Sequence, residues 1–307
     1  MAIIDIGNGM QIETFTPPPV GFDPLTGSAA DLERFGFPDR PSDPRLLERY
    51  QNFWNRLKGK FQYIEPTFWV DPTKRTHPNP GAAGAGTEIS NNWSGGVVYA
   101  PSGQSFKWVQ GDWVVPNVYP PTQKQWYYCS SWVGLDGDGS GDVCQAGMAC
   151  DVYQSGSSIT HTITPWYEWY PLGQVNITNL PINPGDFVSV LICTPQGAGS
   201  TTAMIYFYNN SSGVSTSFTI IAPSGTKLVG NSAEWIVETP TVNGVLTQIP
   251  DYGEIFFSNC EAYLTSGSVV DGGTGNNINL VQNSQTLSTG TLVTPTVIEC
   301  LYTGVQP

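Results

Sequence analysis

From Asn91 onward the chain breaks into short apolar runs separated by turn clusters, and no stretch of useful length carries a helical period. The runs are Phe106–Val115, Gln125–Val133, His161–Tyr170, Phe187–Cys193, Ala203–Tyr208, Ser215–Ile221, Ala233–Val237, Ile255–Leu264 and Leu292–Tyr302. Runs of this length, rich in Val, Ile, Thr and aromatic residues, read as strands, and so many of them imply an all-β, antiparallel sandwich or barrel. The 34 Gly and 25 Pro of the chain supply the turns between them.

The front of the chain is different. Residues 1–41 are irregular and Pro-rich, around Thr16-Pro-Pro-Pro19. One helix is predicted over about 43–59. Asp43 can cap it, Pro44 suits its first turn and Gly59 its stop. Leu46, Leu47, Tyr50, Phe53, Trp54 and Leu57 form an apolar stripe at helical spacing, while Arg45, Arg49, Arg56, Lys58 and Lys60 make the segment basic. The organisation expected is a segment 1–76, a linker 77–90 of small residues, and a β domain 91–307.

Charge follows the same division. Nine of the 12 basic residues precede position 76, leaving a body that is almost purely acidic within a chain of net charge −13. Such a body excludes nucleic acid as a partner and fits work at low pH, where carboxylates are protonated and self-repulsion fades. A merely soluble or halophilic acidic protein is the plainer alternative. No apolar run is long enough to span a membrane. The N-terminus lacks the basic and long apolar regions of a signal peptide. The six Cys are not spaced as a zinc site, and with only His77 and His161 to help, no metal or other cofactor is expected. Cys260 and Cys300 are the expected disulfide pair, and Cys193 a buried free thiol.

Two residues stand out chemically. On a strand, Ala233, Trp235 and Val237 share one face, while Glu234, Ile236 and Glu238 share the other. A partly desolvated Glu234 can serve as general base or acid; read alone, it is equally a solvent-facing strand residue. Gln145 can donate to a developing oxyanion; read alone, it is a turn amide.

Six segments taken in order resemble the glutamic peptidases, or eqolisins. They are Asn91-Asn-Trp93-Ser-Gly-Gly, Trp113-Val-Val-Pro116, Trp132-Val-Gly-Leu-Asp136-Gly, Gln145-Ala-Gly147, Trp166-Tyr-Glu168-Trp-Tyr-Pro171 and Ser232-Ala-Glu234-Trp-Ile-Val-Glu238. The resemblance spans roughly residues 91–302. It implies a concanavalin-like sandwich of two large curved sheets, and an acid-acting endopeptidase whose catalytic pair is Gln145 and Glu234. It also implies that Trp93, Trp132, Trp166 and Glu168 line a substrate groove and that Asp136 supports the pair from behind. Trp169 and Trp235 are expected in the sandwich core instead.

On this reading residues 1–76 are an inhibitory prosegment, whose basic helix docks on the acidic body and is released when acid protonates its partners. The expected substrate is a polypeptide, the expected state a secreted monomer, although no signal peptide is visible. Two other readings stay open. A glycoside hydrolase would use Glu168 and Glu234 as paired carboxylates, and a lectin-like module would use the aromatics for binding alone.

Overall fold

The computed structural model describes residues 2–7, 9–57, 62–75 and 86–304. Two largely antiparallel sheets lie face to face, with Thr87–Ser90 the parallel exception in the second. The first runs Ala2–Gly7, Met10–Thr14, Val214–Ile221, Thr202–Asn209, Phe187–Cys193, Phe106–Val114, Glu254–Leu264 and Val269–Asp271. The second runs Phe68–Val70, Val175–Ile177, Ser158–Trp169, Cys144–Ser155, Trp126–Leu135, Ser232–Glu238, Trp93–Tyr99, Asn276–Gln282 and Thr87–Ser90. Strand Glu254–Leu264 belongs to both layers: its first residues pair with Val297–Tyr302 and its later ones with Phe106–Val114. The sandwich is thereby one continuous sheet folded on itself.

Strand alternation divides the side chains. Val109, Val190, Phe207 and Phe218 from the first sheet meet Val133, Ala146, Met148, Trp235 and Val237 from the second in the inter-sheet core. Trp169 is buried there too, as expected for it and for Trp235. The alternate residues form two further layers on opposite outer faces.

The outer face of the first sheet carries the helices. Helix α1, Ala29–Phe35, is capped by the Ser28 hydroxyl and ends on Gly36 at φ +72°. It was not expected from the sequence, because its seven residues are too few to show a period. Helix α2, Pro44–Leu57, agrees with the expectation, with Asp43 accepting from the Arg45 amide at its start. Leu46, Tyr50, Phe53, Trp54 and Leu57 pack onto Trp108, Leu191, Tyr206, Tyr208 and Tyr263 of the first sheet. Trp108 stacks on Tyr263 at 5.0 Å and 9° beneath them.

Two ion pairs orient α2 on this surface: Arg49–Glu261 at 2.7 Å and Arg56–Asp112 at 3.1 Å. The helix does dock on carboxylates of the body. Its place, however, is the far side of the sandwich from Gln145 and Glu234, so the helix itself cannot cover them. Burial pushes both Asp112 and Glu261 above the ordinary carboxylate range, opposed by Arg56 and Arg49 respectively. The folded state therefore accommodates their neutral forms.

The rest of the front segment is more ordered than its composition indicated. Ala2–Gly7 and Met10–Thr14 form a hairpin that extends one edge of the first sheet. Phe68–Val70 extends one edge of the second sheet, and Thr87–Ser90 forms its opposite edge. Thr87–Ser90 is thus a strand rather than linker, held by pairing that no local sequence pattern reveals. The greater part of the expected linker, residues 77–85, and the helix stop at Gly59 lie outside the described residues.

The disulfide expectation fails. Cys260 and Cys300 are buried free thiols, as are Cys129, Cys144 and Cys150, and Cys193 is free and half-buried. Cys300 sits opposite Ile255, five residues before Cys260 on the same strand, so the register separates the two thiols. Among the described residues no helix is long and apolar enough to cross a membrane.

The docking chemistry makes one prediction. Arg56→Ala leaves Asp112, 1% exposed, buried without its ion pair. It should cost roughly 3 kcal/mol, read as a fall in Tm. Arg45→Ala breaks only the pair with Asp43, whose partners are 69% and 29% exposed, and should leave Tm nearly unchanged.

Candidate active site

The outer face of the second sheet holds the residues singled out in the sequence. Gln145 on Cys144–Ser155 lies opposite Gly134 on the neighbouring strand, and Glu234 on Ser232–Glu238 lies opposite the same Gly134 from the other side. Directly opposed residues share a face. Gln145 and Glu234 therefore flank a glycine, with their backbones two strand spacings apart, about 10 Å. Glu168 lies opposite Gln145 and Val97 opposite Glu234, giving one row: Glu168, Gln145, Gly134, Glu234, Val97.

Two residues along each strand is a second row, Trp166, Gly147, Trp132 and Ile236, and beyond it a third containing Ser130, Glu238 and Trp93. Trp93, Trp132, Trp166, Val97, Ile236 and Ile278 form an apolar cluster apart from the inter-sheet core. Trp93 meets Trp132 edge-on at 4.9 Å. The three tryptophans expected beside the pair are thus brought to its face, and so is Glu168.

Gly134, with no side chain of its own, lies between the two residues. A Cβ there would stand 2.7 Å from Cζ3 of Trp132 and 3.4 Å from Cβ of Gln145. The bare backbone leaves the space above it to the indole and to the groups on either side. A Gly inside a strand is itself a sign of close approach, and the sequence reading passed over this one.

Glu234 is fully buried, and neither carboxylate oxygen has a protein hydrogen-bond partner among the described residues. Burial pushes its pKa well above the usual carboxylate range, and Asp138 and Asp136 add to the effect. The Ser232 hydroxyl lies close enough to oppose this, yet it donates to the Asp138 carbonyl at 3.3 Å. Burial thus favours the neutral form of Glu234.

Asp136 directly follows the strand Trp126–Leu135. Its backbone is left-handed at φ +68°, and its buried carboxylate accepts from the amides of Val229 (2.6 Å) and Asn231 (2.9 Å). Those residues lead into the strand that carries Glu234, so Asp136 fixes where that strand begins. Burial raises its pKa to about 7 despite these bonds.

Glu238, quoted in the sequence only as the end of a motif, has a clear task. It accepts from Trp132 Nε1 at 3.0 Å and from Asn92 Nδ2 at 3.1 Å, fixing the indole beside Gly134. Its signal was available in the strand alternation that puts it on the face of Glu234. Tyr99 went unmarked, and only tertiary contact reveals it: its hydroxyl lies 2.8 Å from Glu88 and 3.0 Å from Asp138.

Residues 91–302 match the Peptidase A4 family. The chain belongs to that family. It is 30% identical over 199 residues to aspergillopepsin-2 of Aspergillus niger, covering 59% of this chain and 66% of that protein. It is 27% identical over 154 residues to scytalidopepsin B of Scytalidium lignicola, covering 49% of this chain and 52% of that protein. The chain thus spans about half to two-thirds of the length of these relatives. In fold it is similar to scytalido-glutamic peptidase crystallised with a transition-state analogue inhibitor, with a TM-score of 0.59 at 23% identity. That match covers 69% of this chain and 98% of the other.

Family membership leaves the glycoside hydrolase reading without support, and the geometry agrees. Glu168 and Glu234 stand three strand spacings apart, about 14 Å, with Gln145 between them. Among the described residues no cluster of His, Cys, Asp or Glu could hold a metal ion.

Two outcomes follow from the site. Gly134→Ala should drive a methyl into Trp132, lowering stability by about 1–3 kcal/mol and peptide hydrolysis by far more, checked by Tm and by kcat/KM. The second concerns pH. Burial raises Asp112, Asp136, Asp142, Asp151, Glu234 and Glu261. Folding then takes up protons, so this stabilisation is full below about pH 4 and is lost as pH rises through the folded values, about 7 for Asp136. Tm should be higher at pH 4 than at pH 8. Asp136→Asn should remove a share on the order of 4 kcal/mol of the difference.

Proposed function

We propose that this chain is the precursor of an acid-acting endopeptidase whose catalytic pair is Glu234 and Gln145. The observation that carries the reading is their placement on either side of Gly134, on one face, beneath Trp132 and Trp166. A water between them loses a proton to the Glu234 carboxylate and adds to the carbonyl carbon of the scissile peptide. The Gln145 amide NH2 donates to the resulting oxyanion. Protonated Glu234 then gives its proton to the leaving nitrogen as the C–N bond breaks, which yields a carboxylic acid and an amine and restores the carboxylate. The tryptophans offer broad apolar contact to an extended polypeptide.

The precursor part of the reading rests on burial. Gln145, Glu168, Trp132, Trp166 and Glu234 all have no exposure, so an extended substrate has no access to them in the full chain. Burial also favours the neutral form of Glu234, and a protonated carboxyl cannot accept the proton of water. Opening the site both admits substrate and returns Glu234 towards its ordinary acidity. Residues 1–76 are on this reading the inhibitory segment, removed by cleavage within 76–90. The enzyme then works as a monomer on polypeptides in an acidic medium outside the cell.

The test is digestion of denatured protein at pH 3–5 by the full chain, with intact-mass spectrometry of the chain itself. The wild type should release peptides and shorten to a species beginning within 76–90. Glu234→Gln should do neither. Gln145→Ala should lose about 10²–10³-fold in kcat. An unshortened chain, or a Glu234→Gln variant as active as wild type, overturns the proposal.

A further inference from the structure

The face that carries the proposed catalytic pair continues beyond the tryptophans. Six residues along the strand from Gln145 lies Asp151, on the same face and about 20 Å away. Tyr128 stands directly opposite Asp151, and Tyr153 lies opposite Trp126 one step further. Trp126 packs against both tyrosines, at 6.2 Å from Tyr128 and 5.4 Å from Tyr153, forming an aromatic ledge. Asp151 is 5% exposed, and Trp126 at the rim is 41% exposed.

This pocket holds a cation that the chain itself supplies. Lys74 Nζ is ion-paired with Asp151 Oδ2 and sits 5.4 Å from the centre of the Tyr128 ring. Its backbone is extended. Asp71 and Lys74 exchange hydrogen bonds with Gln174 on one flank, through the Asp71 amide (2.9 Å) and the Lys74 carbonyl (3.3 Å). On the other flank, Lys74–Arg75 pairs as a strand with Thr241–Val242. The Asp71 carboxylate accepts from Thr73 and from the Lys74 amide, shaping the turn that delivers Lys74. A stretch of front segment thus crosses the outer face of the second sheet as a bound peptide would, with one lysine pointing down into an acidic, aromatic-walled pocket.

We propose that Asp151 and Tyr128 form a specificity pocket for a lysine or arginine side chain of the polypeptide substrate, a pocket that Lys74 fills in the precursor. The inference rests on the proposed precursor reading, in which the front segment leaves. Extended substrate advances about 3.3 Å per residue, so the preferred basic residue lies some six residues from the bond cut at the Gln145–Glu234 pair. The body contains few cations of its own, with only Lys107, Lys124 and Lys227 after Arg75, and none of these meets Asp151. Buried and stripped of Lys74, Asp151 would lack a partner; a cationic substrate side chain restores one. The titratable groups facing the pocket are Asp71, Lys74, Tyr128 and Asp151. Burial raises Asp151 and Lys74 opposes it. The preference should therefore weaken as the medium becomes more acidic.

Two measurements test this. The first needs no catalysis. In full-length Lys74→Ala, added n-butylammonium should raise Tm saturably while 1-butanol should not, and Lys74→Ala/Asp151→Asn should not respond to either. No rise, or the same rise in the double variant, overturns the pocket. The second is cleavage-site profiling with the acid-activated chain on a peptide mixture. Lys and Arg should be enriched about fivefold at a fixed position five to seven residues from the cleaved bond, and Asp151→Asn should abolish the enrichment. Cleavage without enrichment overturns substrate selection by Asp151. If nothing is cleaved, the peptidase reading fails, and with it substrate selection, while the butylammonium response still reports whether the cation pocket exists.

Discussion

A single missing side chain organises the site. Gly134 runs between the strands that bear Gln145 and Glu234 and is paired with both residues at once. Any Cβ at that point would strike Trp132 and press on Gln145. The pair, the indole and the groove they share all depend on that bare stretch of backbone. Hydrogen-bond register makes the arrangement stiff: a slip of one residue on either strand would turn Gln145 or Glu234 into the inter-sheet core. Glu238 adds a second restraint by holding the Trp132 ring nitrogen.

The sandwich places unlike chemistry on its two outer faces. One is an aromatic floor of Trp108, Tyr206, Tyr208 and Tyr263 that receives α2. The other is the acidic and aromatic face of the proposed groove. The front segment reaches both, docking a helix on the first and a strap, Asp71–Arg75, on the second. The strap lies on the face that carries Gln145 and Glu234, while the helix contributes an anchor of buried apolar surface and two ion pairs. Burial raises several carboxylates across the molecule, and each is easier to bury once neutral.

Much of the fold was legible in the chain. Strand alternation placed Ala233, Trp235 and Val237 in the core and Glu234 on the opposite face, and the structure keeps that division. The amphipathic stripe of α2 and its Asp43 cap were equally clear, because both signals are local. Elements short of a full period escaped: α1, the strand Thr87–Ser90 and the N-terminal hairpin draw their stability from partners distant in sequence. The expected Cys260–Cys300 bridge failed for the same reason, since two thiols in late strands say nothing of the register between them.

The sequence by itself determined the class of fold and the acidic character of the body, and its resemblance to the glutamic peptidases singled out Glu234 and Gln145. Fold class and charge are properties of composition and period, which need no knowledge of what lies across a strand. Only the tertiary structure decided that Gly134 separates the two, that Glu238 holds Trp132, and that Lys74 meets Asp151. It also decided that the basic helix lies on the face away from the site. Each of these is a pairing between residues tens to hundreds of positions apart. Such pairings are set by sheet register and by which outer face the chain crosses, and neither is written in any local pattern.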